Sequence, residues 1–554
     1  MSFWSTIAYK IKEVLQKMIG ARTIENTLKV TPTISSQMEE AIQLWSDMYK
    51  NKAPWLKEPD FNDPTRIVSL GLPALIASEK ARTALIEFNS EITTPVEEVE
   101  VENPNYTEPT PDEFGNIMPS LEGKTIVEER PKTSTDRATY LNEQYKKLKK
   151  KLRTQVEYGI AKGGLIIKPY VVVNKTGEEG EADATETYAI EWDFCQADCF
   201  YPIAFNSSGD ITEAVFLQTI VRKDVIYRRL EYHKWENNVV TIINKAYKST
   251  NAATAQDVLG VDLGQEVPLK EVPEWSSLQP ETKIKNVNKP LFGYFKMPEA
   301  NTIDTASPLG VSGYSRAVDL IKDADMQYSR LLWEYEGGEL AIDIDRNALD
   351  FLEGTDRNGN PTHQSVMNSL QRRLYRKVDI GIDGSTYNPY APSLRDSSYL
   401  QGLNSILMRI EDAIAMSRGT LSDAASEART ATELKILKQR SYQENADIQQ
   451  SIQDAIEAAM YAANAYCTLY EITPEGEYEM SFEWDDSIIT DVDTELNKRI
   501  TLMQNGLASK VETRMWYFGE TRRQAEAALQ EIQGESQQDM ENELIMNSNF
   551  NGER

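Results

Sequence analysis

The sequence predicts an α+β protein built in more than one layer, and three observations carry that reading. The chain has 554 residues, and single hydrophobic cores stop growing beyond roughly 250–300 residues. Apolar residues recur at helical spacing in several long segments and at a spacing of two between about 165 and 250. Hydrophobic residues make up 40% of the chain despite a net charge of -28, enough for a core, which excludes global disorder.

The helical segments come first. The opening MSFWSTIAYKIKEVLQKMIG sets Phe3, Ile7, Ile11, Leu15 and Met18 on one face, and residues 1–35 read as an amphipathic helix and arm. It lacks the compact apolar stretch of a signal peptide. Residues 36–52 carry Met38, Ala41, Ile42, Trp45 and Met48 on a helical face, and residues 70–92 carry Leu75, Ile76, Ala81, Leu85 and Phe88. Residues 95–135 are rich in Pro and Glu and read as an exposed, mobile acidic insertion. A strong helix is predicted over 136–162, with Leu141, Tyr145, Leu148, Leu152 and Val156 as its stripe and Gly163-Gly164 as its stop. Its cations, Lys146, Lys147, Lys149, Lys150, Lys151 and Arg153, read as the polar faces of that helix, with a contact to DNA or an acidic partner as the rival.

The period then switches to two. LIIKPYVVV, TYAIEWDF, ITEAVFLQTIVR, VIYRRLEYHKW and VVTIINKAY predict an antiparallel β-rich module, broken at Ser208-Gly209 and Asn237-Asn238. Residues 251–312 are loop-rich. A helix is predicted over about 313–336, ended by Gly337-Gly338, and strand-like ELAIDI and RLYRKVDIGI flank a polar loop. Residues 384–397 hold two prolines and predict a loop. Asp396, Ser397 or Ser398 can cap the helix expected at 398–417. A long helix follows from a capping box at Thr430 and Glu433 to about Tyr470, some 60 Å if unbroken. Its late apolar positions are small: Ala455, Ala459, Ala462 and Ala463. A strand, YEMSFEWDD, and two short helices over 492–533 lead to a polar tail that reads as disordered.

Composition removes most chemistry. Three cysteines, Cys195, Cys199 and Cys467, fit a reducing compartment rather than a disulfide framework. Only His233 and His363 are available as imidazoles, and neither lies near a nucleophile elbow. No nucleotide-binding loop is present. Asp343, Asp345 and Asn347 begin like a calcium loop, but Ala348 and Gly354 stand where Gly and Glu are needed. No run reaches the roughly 20 apolar residues of a membrane span. The chain is therefore expected to have no catalytic residue, no cofactor and no metal. Its acidity opposes gripping nucleic acid, yet suits a surface along which a duplex slides.

At this point the sequence resembles the portal proteins of tailed phages of Gram-positive bacteria, the group related to Bacillus and Listeria phage portals. AIQLWSDMYKNKAPWL, the stretch from PLFGYFKMPEANT to LLWEYEGGELAI, LRDSSYLQGLNSILMRIEDAIAMSRGTLSD, ARTATELKILKQRSY, FEWDDSIITD and SKVETRMWYFGET carry the resemblance. The segment TATELK after the Gly-Thr-Leu-Ser turn is the most specific.

The resemblance implies a phage portal fold: a mixed α/β wing, long stem and channel helices, a clip and a helical C-terminal crown. It divides the chain into a wing over 36–250, a clip within 251–312, a stem helix and strands over 313–383, a tunnel loop and channel helix over 384–425, a crown over 426–533 and a tail over 534–554. It implies a homo-oligomeric ring, usually of 12 copies, at a capsid vertex, assembled in the host cytoplasm. Double-stranded DNA passes through without sequence specificity. The other implied partners are the terminase large subunit, head-completion or adaptor proteins, and the major capsid and scaffolding proteins, with no membrane. By position, 384–397 matches the tunnel loop, which makes Tyr387, Tyr390 and Arg395 the expected channel-facing side chains. The rival readings are a surface loop for that segment and, for the whole chain, an enzyme such as a nuclease, against which the shortage of histidine counts, or a minor capsid or adaptor subunit.

Overall fold

The computed structural model describes residues 24–59, 65–86, 88–102, 125–176, 185–223, 225–249, 263–345, 353–355, 361–363, 375–378, 387–423, 431–484 and 492–519, with isolated positions between and beyond them up to 532. The chain divides into two compact units, Met1–Glu483 and Trp484–Arg554.

In the first unit, α1 (Ser36–Tyr49) starts at Ser35, whose hydroxyl accepts from the Met38 amide. It buries Met38, Ala41, Ile42, Trp45 and Met48, the stripe read from the sequence. Helix α2 (Leu72–Leu85) has a proline in its first turn. Strands β1 (Phe88–Thr93), β2 (Val96–Glu102) and β3 (Thr125–Pro131) lead into α3 (Asp136–Lys162). Leu141, Tyr145, Leu148, Leu152, Val156 and Ile160 of α3 are buried. Gly163 ends it at φ 93°, where a Cβ would meet the Gly310 carbonyl at 2.7 Å. Only glycine satisfies both conditions.

The β-rich region forms two sheets. Strands β4 (Gly164–Thr176) and β5 (Thr185–Gln196) pair in a long antiparallel ribbon. Strands β6 (Phe200–Phe205), β7 (Ile211–Arg222), β8 (Val225–Glu236) and β9 (Val239–Ser249) form an antiparallel meander. Asn237 and Asn238, at φ 53° and 60°, make the β8–β9 turn. Two successive positive φ values match the right-handed twist of a hairpin, and Asn tolerates them.

One expectation needs correction, and a second gains detail. Residues 95–135 are not featureless: β2 and β3 pair from Val96↔Pro131 to Glu102↔Thr125. The alternation VEEVEVE is a strand pattern, masked because Glu is a poor strand former. Residues 263–312, expected to be loop-rich, are mostly loop but contribute three short strands to the sheets. Strands β10 (Gln265–Val267) and β11 (Glu281–Lys285) pair with β9, and β12 (Gly293–Lys296) pairs with β4. Leu269, Val272, Trp275, Leu291, Phe292, Phe295 and Met297 are buried there.

The rest of the unit is helical with a small sheet. Helix α4 (Val318–Gly337) follows a 3-10 turn at Ser315–Ala317. Strands β13 (Ala341–Asp345), β14 (Glu353–Thr355), β15 (Pro361–His363), β16 (Tyr375–Val378) and β17 (Tyr387–Tyr390) precede α5 (Asp396–Ala413). Helix α6 (Ala431–Leu469) spans 39 residues, about 58 Å. Strand β18 (Glu479–Trp484) returns to β1. In the second unit, α7 (Val492–Gln504) meets α8 (Lys510–Phe518) through Arg499, which lies over the Trp516 ring, and α8 opens with a Ser509–Glu512 capping box. The N-terminal helix, the Thr430 cap and the tail from 534 lie outside the described residues.

Small residues let α6 approach the sheet. A Cβ on Gly293 would sit 1.9 Å from the Ala455 carbonyl oxygen, and Ala455, Ala459, Ala462 and Ala463 are buried. The Ser451 hydroxyl donates to the Lys296 carbonyl at 2.6 Å and accepts from its amide at 3.2 Å. Gly293→Ala should destabilise the fold by about 1–3 kcal/mol, the usual cost of overpacking, read as a lower midpoint in urea.

A buried ionic cluster links β4, β5 and β8. Glu231 accepts from Lys168 at 2.6 Å, Arg229 at 2.7 Å and His233 Nε2 at 2.7 Å, and Asp193 lies 3.3 Å from Lys168. With Nε2–H donating, Nδ1 is a bare acceptor without a partner. Burial holds the His233 pKa below its ordinary 6.5, although Glu231 raises it. A depressed folded value means stability is fully present above 6.5 and is lost as pH falls towards the folded value. His233→Gln should flatten that part of the stability profile, measured by urea unfolding between about pH 5 and 7.

Candidate functional site

Among the described residues no group of three or more His, Cys, Asp or Glu side chains is placed to hold a metal ion. Asp343 and Asp345, the start of the rejected calcium pattern, lie in β13. The cysteines are free, and burial pushes the Cys199 thiol up to about 12 and Cys467 to about 11. Thiols held protonated are poor nucleophiles. The residues singled out by the sequence reading are Tyr387, Tyr390 and Arg395.

Helices α4 and α5 run antiparallel. Arg395, at the start of α5, contacts Glu334 near the end of α4, and Gln327, two turns earlier on α4, donates to the Tyr399 carbonyl at 3.4 Å. A small sheet closes this end of the pair. Strand β13 pairs in parallel with β16 and antiparallel with β17, so that Tyr387 lies opposite Ile344 and Tyr390 opposite Ala341. The segment predicted as a loop is thus a strand over Tyr387–Tyr390, followed by a short connection to α5; residues 384–386 lie outside the described set. Arg395 itself occupies the N-cap position, and no side chain caps the helix there.

Arg395 is not a free cation. Its guanidinium grips Glu334 in bidentate fashion, at 3.1 and 2.7 Å, and its backbone amide donates to the same carboxylate at 3.0 Å. The guanidinium also lies over the Tyr399 ring, 5.7 Å from its centre. Hydrogen bonding by Arg395 holds the Glu334 carboxyl below its usual range. Gly338 allows this docking, since a Cβ there would lie 2.2 Å from Leu394. The sequence reading named Arg395 but missed Glu334, whose place at the end of a predicted helix was its only signal.

Around this tip large apolar side chains face solvent. Trp333 is 66% exposed, and Tyr335, Leu340, Tyr390, Leu394 and Leu400 are also exposed. Next to Trp333 lies a groove of about 380 Å³ floored by Ile67, Val68, Met326 and Leu332. Beside the groove, buried Asp325 of α4 accepts from Trp55 Nε1 at 2.9 Å and from the Leu70 amide at 2.8 Å, tying the segment after Val68 to α4. Burial raises its pKa, and the two donors only partly offset that.

The far end of α5 is organised by one carboxylate. Glu411 is fully buried. Its Oε1 accepts from the amides of Gly419, Leu421 and Ser422 at 3.1, 2.6 and 2.9 Å, and its Oε2 from the Ser422 hydroxyl at 2.7 Å. The turn that it cages is the Gly-Thr-Leu-Ser segment singled out in the sequence. Gly419, at φ 90°, supplies the left-handed residue. No sequence pattern pointed to Glu411, because its partners are backbone amides eight to eleven residues ahead.

Glu411→Ala should cost about 2–4 kcal/mol by orphaning buried donors, while Glu411→Gln, which keeps an acceptor, should cost less; chemical denaturation separates them. Glu334→Ala should free the Leu394–Asp396 segment. Its amides should then exchange hydrogen faster while circular dichroism stays unchanged.

No individually curated protein matches the chain. The sequence profile of one family does, and it runs through both units: described as phage portal protein, SPP1 Gp6-like, it matches residues 37–542 of the 554. The match takes in the α4–α5 pair, its apolar tip, the caged turn and α6, and so the chain belongs to the phage portal protein family, SPP1 Gp6-like.

Proposed function

We propose that the chain is the ring-forming portal subunit of a tailed phage. In this reading it serves as the channel for double-stranded DNA during packaging and ejection, and as the platform for terminase and head-completion proteins at the capsid vertex. The family match carries this reading. The structure adds support in one respect: a monomer rarely leaves so many large apolar side chains exposed together as the α4–α5 tip does. No described helix is long and apolar enough to cross a membrane.

Within this reading the α4–α5 pair is the stem. The β13–β16–β17 tip takes the clip role first assigned to 251–312, because it stands at the end of a helical pair while 263–312 contributes strands to the sheets. The wing comprises α1 to β12, and α6 leads to the crown. Tyr387, Tyr390 and Arg395 remain the proposed channel-facing residues. The Arg395–Glu334 pair presents little net charge to a passing duplex, consistent with a wall that guides DNA without gripping it. In this reading the protein acts by shape rather than by catalysis.

Imaging the purified chain by negative stain, with native mass spectrometry, should show a closed ring with a central channel. Monomers at every salt concentration, or incorporation into particles away from the unique vertex, would instead indicate a minor capsid or adaptor subunit. Arg395→Gln and Glu334→Gln should each leave rings intact and lower DNA packaging or retention in an infection assay. Normal packaging by both removes these residues from the channel wall. The purified ring should neither hydrolyse ATP nor cut DNA, with or without divalent metal.

A further inference from the structure

Two features of the first unit are unpartnered and opposite in charge. The first is the outer face of α3. Its inner stripe is buried, but Lys146, Lys150 and Arg153 are exposed and have no ion-pair partner among the described residues. Such a basic face is conspicuous on a chain of net charge -28. The second is the β2–β3 ribbon, which pairs with no other strand among the described residues. Glu98, Glu100 and Glu102 are exposed and alternate along β2, which places them on one face of the ribbon.

A two-stranded ribbon by itself is marginal in water, so a covering surface would stabilise it. The spacings correspond. Carboxylates two residues apart on a strand repeat about every 6.8 Å, and cations four residues apart on a helix lie about 6 Å apart along the axis. Three carboxylates thus span about 14 Å and the three cations about 10 Å, a difference that long side chains absorb. A ring of identical subunits joins two different surfaces of each copy, head to tail, and this chain offers one of each sign.

We propose that the β2–β3 ribbon of one subunit docks on the α3 cations of a neighbouring copy, Glu98, Glu100 and Glu102 pairing with Lys146, Lys150 and Arg153. This contact rests on the ring reading and adds a specific electrostatic clasp to it. A second copy is favoured over DNA as the occupant because the ribbon supplies matching acidic spacing and itself lacks a partner. The clasp also draws subunits together against the repulsion of their net negative charge.

The test uses full-length chains in three forms: K146E/K150E/R153E, E98K/E100K/E102K, and all six changes together. Ring stability is read as the protein concentration at half-assembly, by native mass spectrometry at low and high salt. Each triple reversal should raise that concentration by at least about tenfold at low salt, and the combined variant should restore it. The difference should shrink at high salt. A mixture of Glu100→Cys and Lys150→Cys chains, oxidised after assembly, should give disulfide-linked dimers, a readout that holds even if a reversed variant folds poorly.

Rings that form normally in both reversals, with no cross-linked dimer, overturn the clasp and leave the ring reading standing. Wild-type chains that never assemble overturn the ring reading and the clasp with it. Unchanged ring stability with lost DNA retention in the α3 reversal alone overturns the clasp in favour of a nucleic-acid contact.

Discussion

The fold of this strongly acidic chain depends on buried cations that are each enclosed by acceptors from distant segments. Lys80 of α2 reaches Glu299 and Glu444, joining α2, the segment after β12, and α6. Arg137 at the start of α3 donates to the carbonyls of Asn464, Thr473 and Pro474 and to the side chains of Asn464 and Thr468, closing the end of α6. Lys162 at the end of α3 binds Asp198 at 2.5 Å, which also accepts from Ser46 of α1. Lys168 and Arg229 share Glu231 between the two sheets. Breaking one such buried pair typically costs about 3–5 kcal/mol, because the remaining charge stays uncompensated. Their value here is positional: each fixes where two elements meet.

Helix α3 holds the α/β part of the first unit together because both its ends are tied in this way and its stripe is covered along its length. Trp192 of β5 donates to the Gln144 carbonyl at 2.9 Å, and the Tyr145 hydroxyl donates to Ser90 at 3.0 Å. Lys149, grouped in the sequence with the polar-face cations, instead donates to the Ser90 carbonyl at 2.5 Å. Its neighbours Lys146, Lys150 and Arg153 point to solvent. One run of cations therefore does two jobs, a distinction set by the helical period and the position of β1.

The α4–α5 pair and the caged turn obey a related rule. Glu334 and Glu411 are single carboxylates that collect donors where the chain reverses, one at each end of α5. A carboxylate accepts several hydrogen bonds at once and so can hold an irregular backbone in one conformation. In the proposed channel role, turns held by such anchors would keep their shape better than turns held by apolar contact alone.

The sequence by itself determined most elements. Period-2 runs became β4, β5, β7, β8 and β9, and helical stripes became α1, α3, α4, α5 and α6 with ends displaced by a few residues. Short-range periodicity reports which face is buried, and local glycine and asparagine signals report where an element stops. Family membership was also legible, since the order of segments survives in the sequence. Only the tertiary structure decided which strands of 263–312 join which sheet, that Tyr387–Tyr390 pairs with β13, and that Arg395 is neutralised by Glu334 sixty-one residues away. Those outcomes rest on contacts between segments remote in the chain, and no periodic pattern encodes a partner that far off. The acidic ribbon fell between the two: its alternation was present, but the low strand propensity of glutamate hid it until pairing with β3 made the strand visible.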